Sequence, residues 1–202
     1  MENVVLVNSN NKKIGVENKL IAHQKGLLHR AFSILIFNSK KEFLLQRRAD
    51  KKYHTPGLWT NTCCSHPKEN EDYKSAIDRR LNEEMGMKCN MEKHFSFIYK
   101  SHLSKTLTEH EHDTVFIGET NTTPNINTDE VSDFRYISLT NLKYEINKNP
   151  NKFTPWFKII INELDSNFFE SKHFYYYDWF YSIYRHNFNS VYFNGIYCYF
   201  IS

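Results

Sequence analysis

The chain has 202 residues, 40% hydrophobic and 24% charged, with a formal net charge of +3. These are ordinary values for a globular protein large enough to bury a core. A charge this small, with bases interspersed among acids, argues against a nucleic-acid partner. No stretch offers the roughly 18 apolar residues of a membrane span, and Met1-Glu2-Asn3 lacks the basic-then-apolar layout of a secretion signal. The expectation is therefore a cytoplasmic protein with no membrane association and with its 4 cysteines reduced.

In chain order, residues 4–7 and 31–37 are apolar runs, the second short enough for a buried strand. Asn38-Ser39-Lys40-Lys41 reads as a turn, and residues 42–47 as the second arm of a hairpin. Residues 72–85 read as a helix, with Ala76, Ile77, Leu81 and Met85 on one face. Asn70 is placed to cap its start and Gly86 to stop it. Strands are expected at 95–100, 113–117 and 134–137, and an apolar helix from Pro155-Trp156 through Leu164. Interleaved strands and helices make this an α/β or α+β domain, bounded at residues 1–166. Residues 167–202 form an aromatic, asparagine-rich tail around Phe174-Tyr175-Tyr176-Tyr177-Asp178-Trp179-Phe180-Tyr181. It has no clean periodicity and reads as a low-information extension in preference to a membrane-surface or partner-binding segment.

The densest chemistry lies in Trp59-Thr60-Asn61-Thr62-Cys63-Cys64-Ser65-His66-Pro67, where a thiol stands two residues from an imidazole. A thiol moves protons if its pKa is tuned, and a metal is one way to tune it. Of the 10 histidines, His54, His94, His102, His173 and His186 have surroundings that suggest nothing beyond structural or surface roles. His23 and His29 precede the first core strand, placed as ligands from a loop and a strand entry would be. In Glu109-His110-Glu111-His112 acid and imidazole alternate. A strand shows residues two apart on one face. Either the glutamates or the histidines then serve one ion, and the residues alone leave this even.

The cysteine run resembles the cysteine segment of type I isopentenyl-diphosphate isomerases, and the resemblance extends from about Val4 to Trp156. Glu71 and Arg79-Arg80-Leu81-Asn82-Glu83-Glu84-Met85-Gly86-Met87 resemble the Nudix box, with Ser65 at its leading glycine and Arg80 at a position usually glutamate. Isomerases of this family share that degenerate box. A cation at position 80 favours holding a diphosphate over cutting it.

The resemblance implies a Nudix-like mixed-sheet α/β/α sandwich. It implies a divalent ion held by His23, His29, His66, Glu109 and Glu111, with His110 and His112 facing away. Three imidazoles and two carboxylates suit Mn²⁺, Zn²⁺ or Fe²⁺. The small-molecule partner would be an isoprenoid diphosphate clamped by Arg48, Lys52 and Arg80, with Mg²⁺ on Glu84. The implied reaction moves a C=C bond within one molecule, isopentenyl to dimethylallyl diphosphate, as a step of isoprenoid biosynthesis. Cys64 and Glu111 would be its acid/base groups, Tyr99 a hydrogen-bond partner of the glutamate, and Trp156 the face for a carbocation. Trp59 is a weaker second candidate for that face, and Cys63, Cys89 and Cys198 are bystanders. A monomer is expected. The competing readings are a Nudix-type pyrophosphohydrolase and a non-catalytic metal-binding module.

Overall fold

The structure, a computed structural model, describes residues 2–164, 168 and 169, and the backbone of 191–193 and 196–201. Its centre is β3 (His29–Phe37), the apolar run of the sequence, paired parallel along its whole length with β8 (Thr108–Glu119), from His29↔Glu111 to Phe37↔Glu119. Beyond β8 lies antiparallel β7 (Glu92–His102). The other edge of β3 is shared in turn by β1 (Asn3–Val7), β6 (Cys63–Ser65) and β4 (Glu42–Arg48). β1 carries the hairpin partner β2 (Lys13–Asn18), while β4 pairs with β5 (Trp59–Thr60) and β9 (Val131–Ser138). The expected β3–β4 hairpin is present: Asn38 Oδ1 accepts from the Lys40 and Glu42 amides at 2.9 and 3.0 Å.

Strand alternation divides the core. Phe32, Ile34 and Ile36 pack with Ala76, Ile77, Leu81 and Met85 of α2 (Tyr73–Met85). Leu35 and Phe37 face the other way, onto Trp156, Phe157 and Ile160 of α4 (Pro155–Glu163) and Leu142 and Ile146 of α3 (Leu139–Lys148). Helices thus cover both faces of a mixed sheet, the expected sandwich.

Two local expectations need correcting. Asp72, not Asn70, caps α2, its Oδ1 accepting from the Ser75 amide at 2.8 Å. Asn70 instead sits at φ 63°, in the turn before the helix. The stop at Gly86 is as read: φ is 62°, and a Cβ there would lie 2.5 Å from the Asn125 carbonyl oxygen, so both conformation and space require glycine. Helices α3 and α1 (Lys19–Lys25) have no counterpart in the sequence reading.

Phe168, just past the expected domain boundary, is buried in the α4-side core. With Phe169 it packs edgewise on Phe37, at ring distances of 6.4 and 5.1 Å. Further on, β10 (Val191–Phe193) and β11 (Ile196–Ile201) extend the sheet, β11 pairing with β7 from Tyr197↔Lys100 to Ile201↔Ser96. The aromatic run 174–181, His173, His186 and the Cys198 side chain lie outside what is described.

Candidate active site

Five segments deliver the imidazoles and carboxylates: α1, β3, the loop carrying His54, the end of β6 and β8. Asn18 caps α1, accepting from the Leu20 and Ile21 amides, and Gly26 ends the helix in the left-handed region at φ 60°. This short helix buries His23 and returns the chain so that His29 opens β3. His23 is therefore a helical residue, not the loop residue expected. His23 Nδ1 meets the Lys19 carbonyl at 2.6 Å and His29 Nδ1 the Leu27 carbonyl at 2.8 Å. Both rings then donate from Nδ1, which leaves Nε2 as a lone pair. Each of these Nε2 atoms is buried without a hydrogen-bond partner.

The β3–β8 register brings His29 opposite Glu111. Alternation along β8 turns Glu109 and Glu111 the same way, while His110 Nδ1 turns out to the Gly26 carbonyl at 3.0 Å. The glutamates, and not His110, therefore share a face with the grouped imidazoles. His66, just past β6, places Nε2 2.9 Å from Glu111 Oε1, and His29 Nε2 lies 3.5 Å from the same oxygen. Donor atoms of His23, His29, His66 and Glu111 all lie within 4.8 Å of one another.

Glu109 stands slightly apart. It groups with His23 at 3.8 Å and with His54 at 3.6 Å. The expected five-residue set is thus two overlapping groups that share His23. His54, read in the sequence as structural or surface, is a site residue.

The donors fit a divalent ion. Burial pushes His66 down to about 4 and also lowers His23 and His54, so all three rings are neutral at pH 7. Burial opposes charge on Glu111, but His29 and His66 outweigh it and hold this carboxyl well below its usual range. Burial and the Glu111 charge raise Glu109. The Tyr99 hydroxyl bridges the two carboxyls at 2.6 and 2.7 Å. Its one proton can be donated to either carboxyl oxygen.

Alternation also separates the two thiols. Cys63 is fully buried in the α2-side core, whereas Cys64 opens onto the site. Burial pushes the Cys64 thiol up to about 12, with the Arg48 guanidinium pulling the other way. Trp156 is fixed by its Nε1–H, which donates to Asn61 Oδ1 at 3.2 Å. Asn61 is itself pinned by Thr60 and by the Ile34 and Cys63 carbonyls.

Arg48, Lys52, Cys64, His66, Arg80, Glu109, Glu111 and Trp156 line one cavity of about 60 Å³, together with Lys19, Tyr53 and His54. The Arg48 guanidinium lies 5.6 Å from the Trp156 ring and 4.0 Å from Cys64 Sγ. Glu84 lies beneath this wall, paired with Arg80 and accepting from Gln46 Nε2 at 2.8 Å. Trp59 stays outside, under the Arg135 guanidinium at 4.5 Å. His54, Lys19, Asn61 and Gln46 are the site residues that sequence reasoning missed. Lys19 had a signal, since it precedes His23 by one helical turn.

A sheet covered by helices on both faces, with a Glu/Arg helix beside a cationic cavity, defines a Nudix domain, and the NUDIX domain family matches residues 27–157. The chain belongs to that family. A crystal structure from Deinococcus radiodurans superposes with a TM-score of 0.67 at 18% identity, covering 80% of this chain and 98% of that one. The MutT protein of Methanosarcina mazei gives 0.53 at 20% identity, over 67% and 91%. Within the family the chain is one of the isopentenyl-diphosphate Delta-isomerases. It is 50% identical over 163 residues to Isopentenyl-diphosphate Delta-isomerase 2 of Photorhabdus laumondii, covering 81% of this chain and 92% of the relative. It is 44% identical over 165 residues to the protein of that name from Aromatoleum aromaticum, covering 82% and 87%.

Proposed function

We propose that this chain interconverts isopentenyl and dimethylallyl diphosphate by moving one proton on and another off a three-carbon allylic unit. One observation carries the mechanism: Cys64 and Glu111 reach the same cavity from strands on opposite edges of β3. A 1,3-shift needs a loaded acid and an empty base on two sides of the substrate. Cys64 Sγ holds its proton at neutral pH, and Glu111 is ionised.

The substrate's diphosphate binds the cationic wall of Arg48, Lys52 and Arg80, with Lys19 as a fourth charge. Arg48 now lies over the Trp156 ring. Drawing it onto a phosphate frees that face for the tertiary cation, a contact worth roughly 2 kcal/mol when desolvated. Asn61 holds the indole in place, and Tyr99 holds the two carboxyls. Burial of the surrounding groups keeps water from capturing the cation.

His23, His29, His66 and Glu111, with Glu109 and His54 adjacent, would hold a Mn²⁺, Zn²⁺ or Fe²⁺ ion, which supplies fixed positive charge beside Glu111. Glu84 would hold the Mg²⁺ that accompanies the diphosphate. Cys63, Cys64 and Cys89 are unpaired, which suits a reducing cytoplasm. Among the described residues, no helix is long and apolar enough to cross a membrane. We take the chain to act as a monomer.

Incubating the purified chain with isopentenyl diphosphate in deuterated water tests this. Dimethylallyl diphosphate carrying solvent deuterium is the expected product. Phosphate release with an unlabelled carbon skeleton would make the chain a hydrolase.

A further inference from the structure

Two cations of the diphosphate wall, Lys52 and Arg80, are already engaged by carboxylates. Lys52 Nζ is paired with Glu130 Oε2, and the same carboxylate oxygen lies 3.4 Å from Arg80 Nη2. Arg80 also pairs with Glu84 and, at 2.7 Å, with Glu83. Arg48 and Arg80 each keep a buried Nε–H with no hydrogen-bond partner, so the wall includes unused donors as well as engaged ones.

Glu130 is built into this position. Its carbonyl accepts from the Ala49 amide at 3.0 Å, and the Ala49 carbonyl accepts from the Lys52 amide at 3.1 Å. Main chain and side chain together fasten Glu130 to residues 49–52, just after β4, and its carboxylate also reaches Arg80 of α2. The Lys52 and Glu130 side chains are 22% and 26% exposed, so an ion arriving from solvent can compete for either.

Charge bookkeeping then constrains binding. Lys52 and Arg80 supply two positive charges, shared among the carboxylates of Glu83, Glu84 and Glu130. A prenyl diphosphate brings about three negative charges of its own. Arriving alone, it faces the Glu130 carboxylate across Lys52, and the two repel through partly screened solvent. Arriving with a divalent cation, it permits an exchange: the carboxylates turn to the cation, while the guanidinium and ammonium groups turn to phosphate oxygens.

We propose that Glu130 is a positioning residue that makes diphosphate binding conditional on Mg²⁺. At rest it holds Lys52 and Arg80 side by side, and it releases them when Mg²⁺ accompanies the phosphate. The proposal rests on the diphosphate-clamp reading of Arg48, Lys52 and Arg80.

Calorimetric titration of the full chain, loaded at its His/Glu site, with inorganic pyrophosphate tests it, with and without added Mg²⁺. The wild type should bind tightly only with Mg²⁺. In Glu130→Gln the Mg²⁺-free affinity should rise about tenfold or more and the Mg²⁺-supported affinity should fall, so the ratio collapses. Glu130→Asp, which keeps the charge, should keep the Mg²⁺ requirement. Equal weakening with and without Mg²⁺ in Glu130→Gln, or its failure to fold, would make Glu130 mere scaffold and overturn the proposal. So would wild-type binding indifferent to Mg²⁺, which leaves the clamp itself standing. If the wild type binds no pyrophosphate under either condition, the clamp reading fails and this proposal fails with it.

Discussion

Cys63 and Cys64 are adjacent in sequence and face opposite sides of the sheet, so exchanging each for alanine separates packing from chemistry. Cys63 is packed among Phe32, Ile34, Ala76 and Ile77 with no solvent exposure. Removing its sulfur deletes one heavy atom from a tight core, at a cost of about 1 kcal/mol, which lowers Tm by roughly 2–4 °C in a chain of this size. The cavity and its polar groups stay intact, so turnover should stay near wild type. Cys64 opens on the cavity, where its protonated thiol is the loaded acid of the proposed shift. Losing one acid/base group costs about 10²–10⁴-fold, equivalent to roughly 3–5 kcal/mol of barrier.

Diphosphate affinity should change little in Cys64→Ala, because Arg48, Lys52 and Arg80 remain. The loss should therefore appear in kcat with KM nearly constant. The assay is dimethylallyl diphosphate formation, with deuterium content read by mass spectrometry and Tm by calorimetry. An inactive Cys63→Ala beside an active Cys64→Ala would refute the face assignment of β6. Full activity in both would remove the thiol from the mechanism.

Further outcomes are expected. His66→Ala should strip the divalent ion and abolish isomerisation, whereas His110→Ala, at a side chain turned to the Gly26 carbonyl, should do neither; metal analysis of the two purified variants decides. Because burial pushes the Cys64 thiol from 9.0 up to about 12, little thiolate should be present at pH 8, and carboxymethylation should be much slower than for a free thiol. A folded pKa above the unfolded one means that this group's stability contribution is complete below about pH 9 and is lost as pH rises toward 12. Cys64→Ala should flatten that alkaline limb in pH-dependent melts. A chain ending at residue 166 should melt well below one ending at 169, since Phe168 and Phe169 pack on Phe37 and Phe43 and a buried Phe is worth about 3–5 kcal/mol. Equal melting points would restore the boundary read from composition.

What was legible in the sequence is what local geometry decides. The two-residue alternation of β8 fixes that Glu109 and Glu111 turn together. Gly86 is readable because only glycine suits that left-handed stop. α2 is readable from its apolar face, although the cap slipped by two residues because Asn70 and Asp72 are both good caps and only the fold chooses. What escaped is decided at long range. Glu130 meets Lys52 across 78 residues of sequence, and Asn61 meets Trp156 across 95. Neither pair has a periodicity to betray it. α1 is only 7 residues long, too short to form alone, and owes its existence to Asn18, Gly26 and the site packed beneath it. His54 looked ordinary because its place beside Glu109 is made by folding, not by its neighbours in the chain.

The division of labour around α2 explains why this Nudix domain suits isomerisation better than hydrolysis. A box that cuts diphosphates collects its metals on the carboxylates of that helix, and here Arg80 occupies one such position and ties up Glu83 and Glu84 through i,i+3 and i,i+4 pairs. None of the imidazole and carboxylate donors grouped among the described residues lies on α2; they come from α1, the loop that carries His54, β3, β8 and the end of β6. In the proposed reaction the helix would contribute Arg80 to phosphate binding, while Cys64 and Glu111 reach the cavity from β6 and β8. On that arrangement, Arg80→Glu should weaken diphosphate binding without creating a hydrolase, because the grouped imidazole and carboxylate donors would still lie off the helix. Phosphate release by Arg80→Glu at a rate approaching wild-type isomerisation would show that this one position, and not the relocation of the donors, separates the two chemistries.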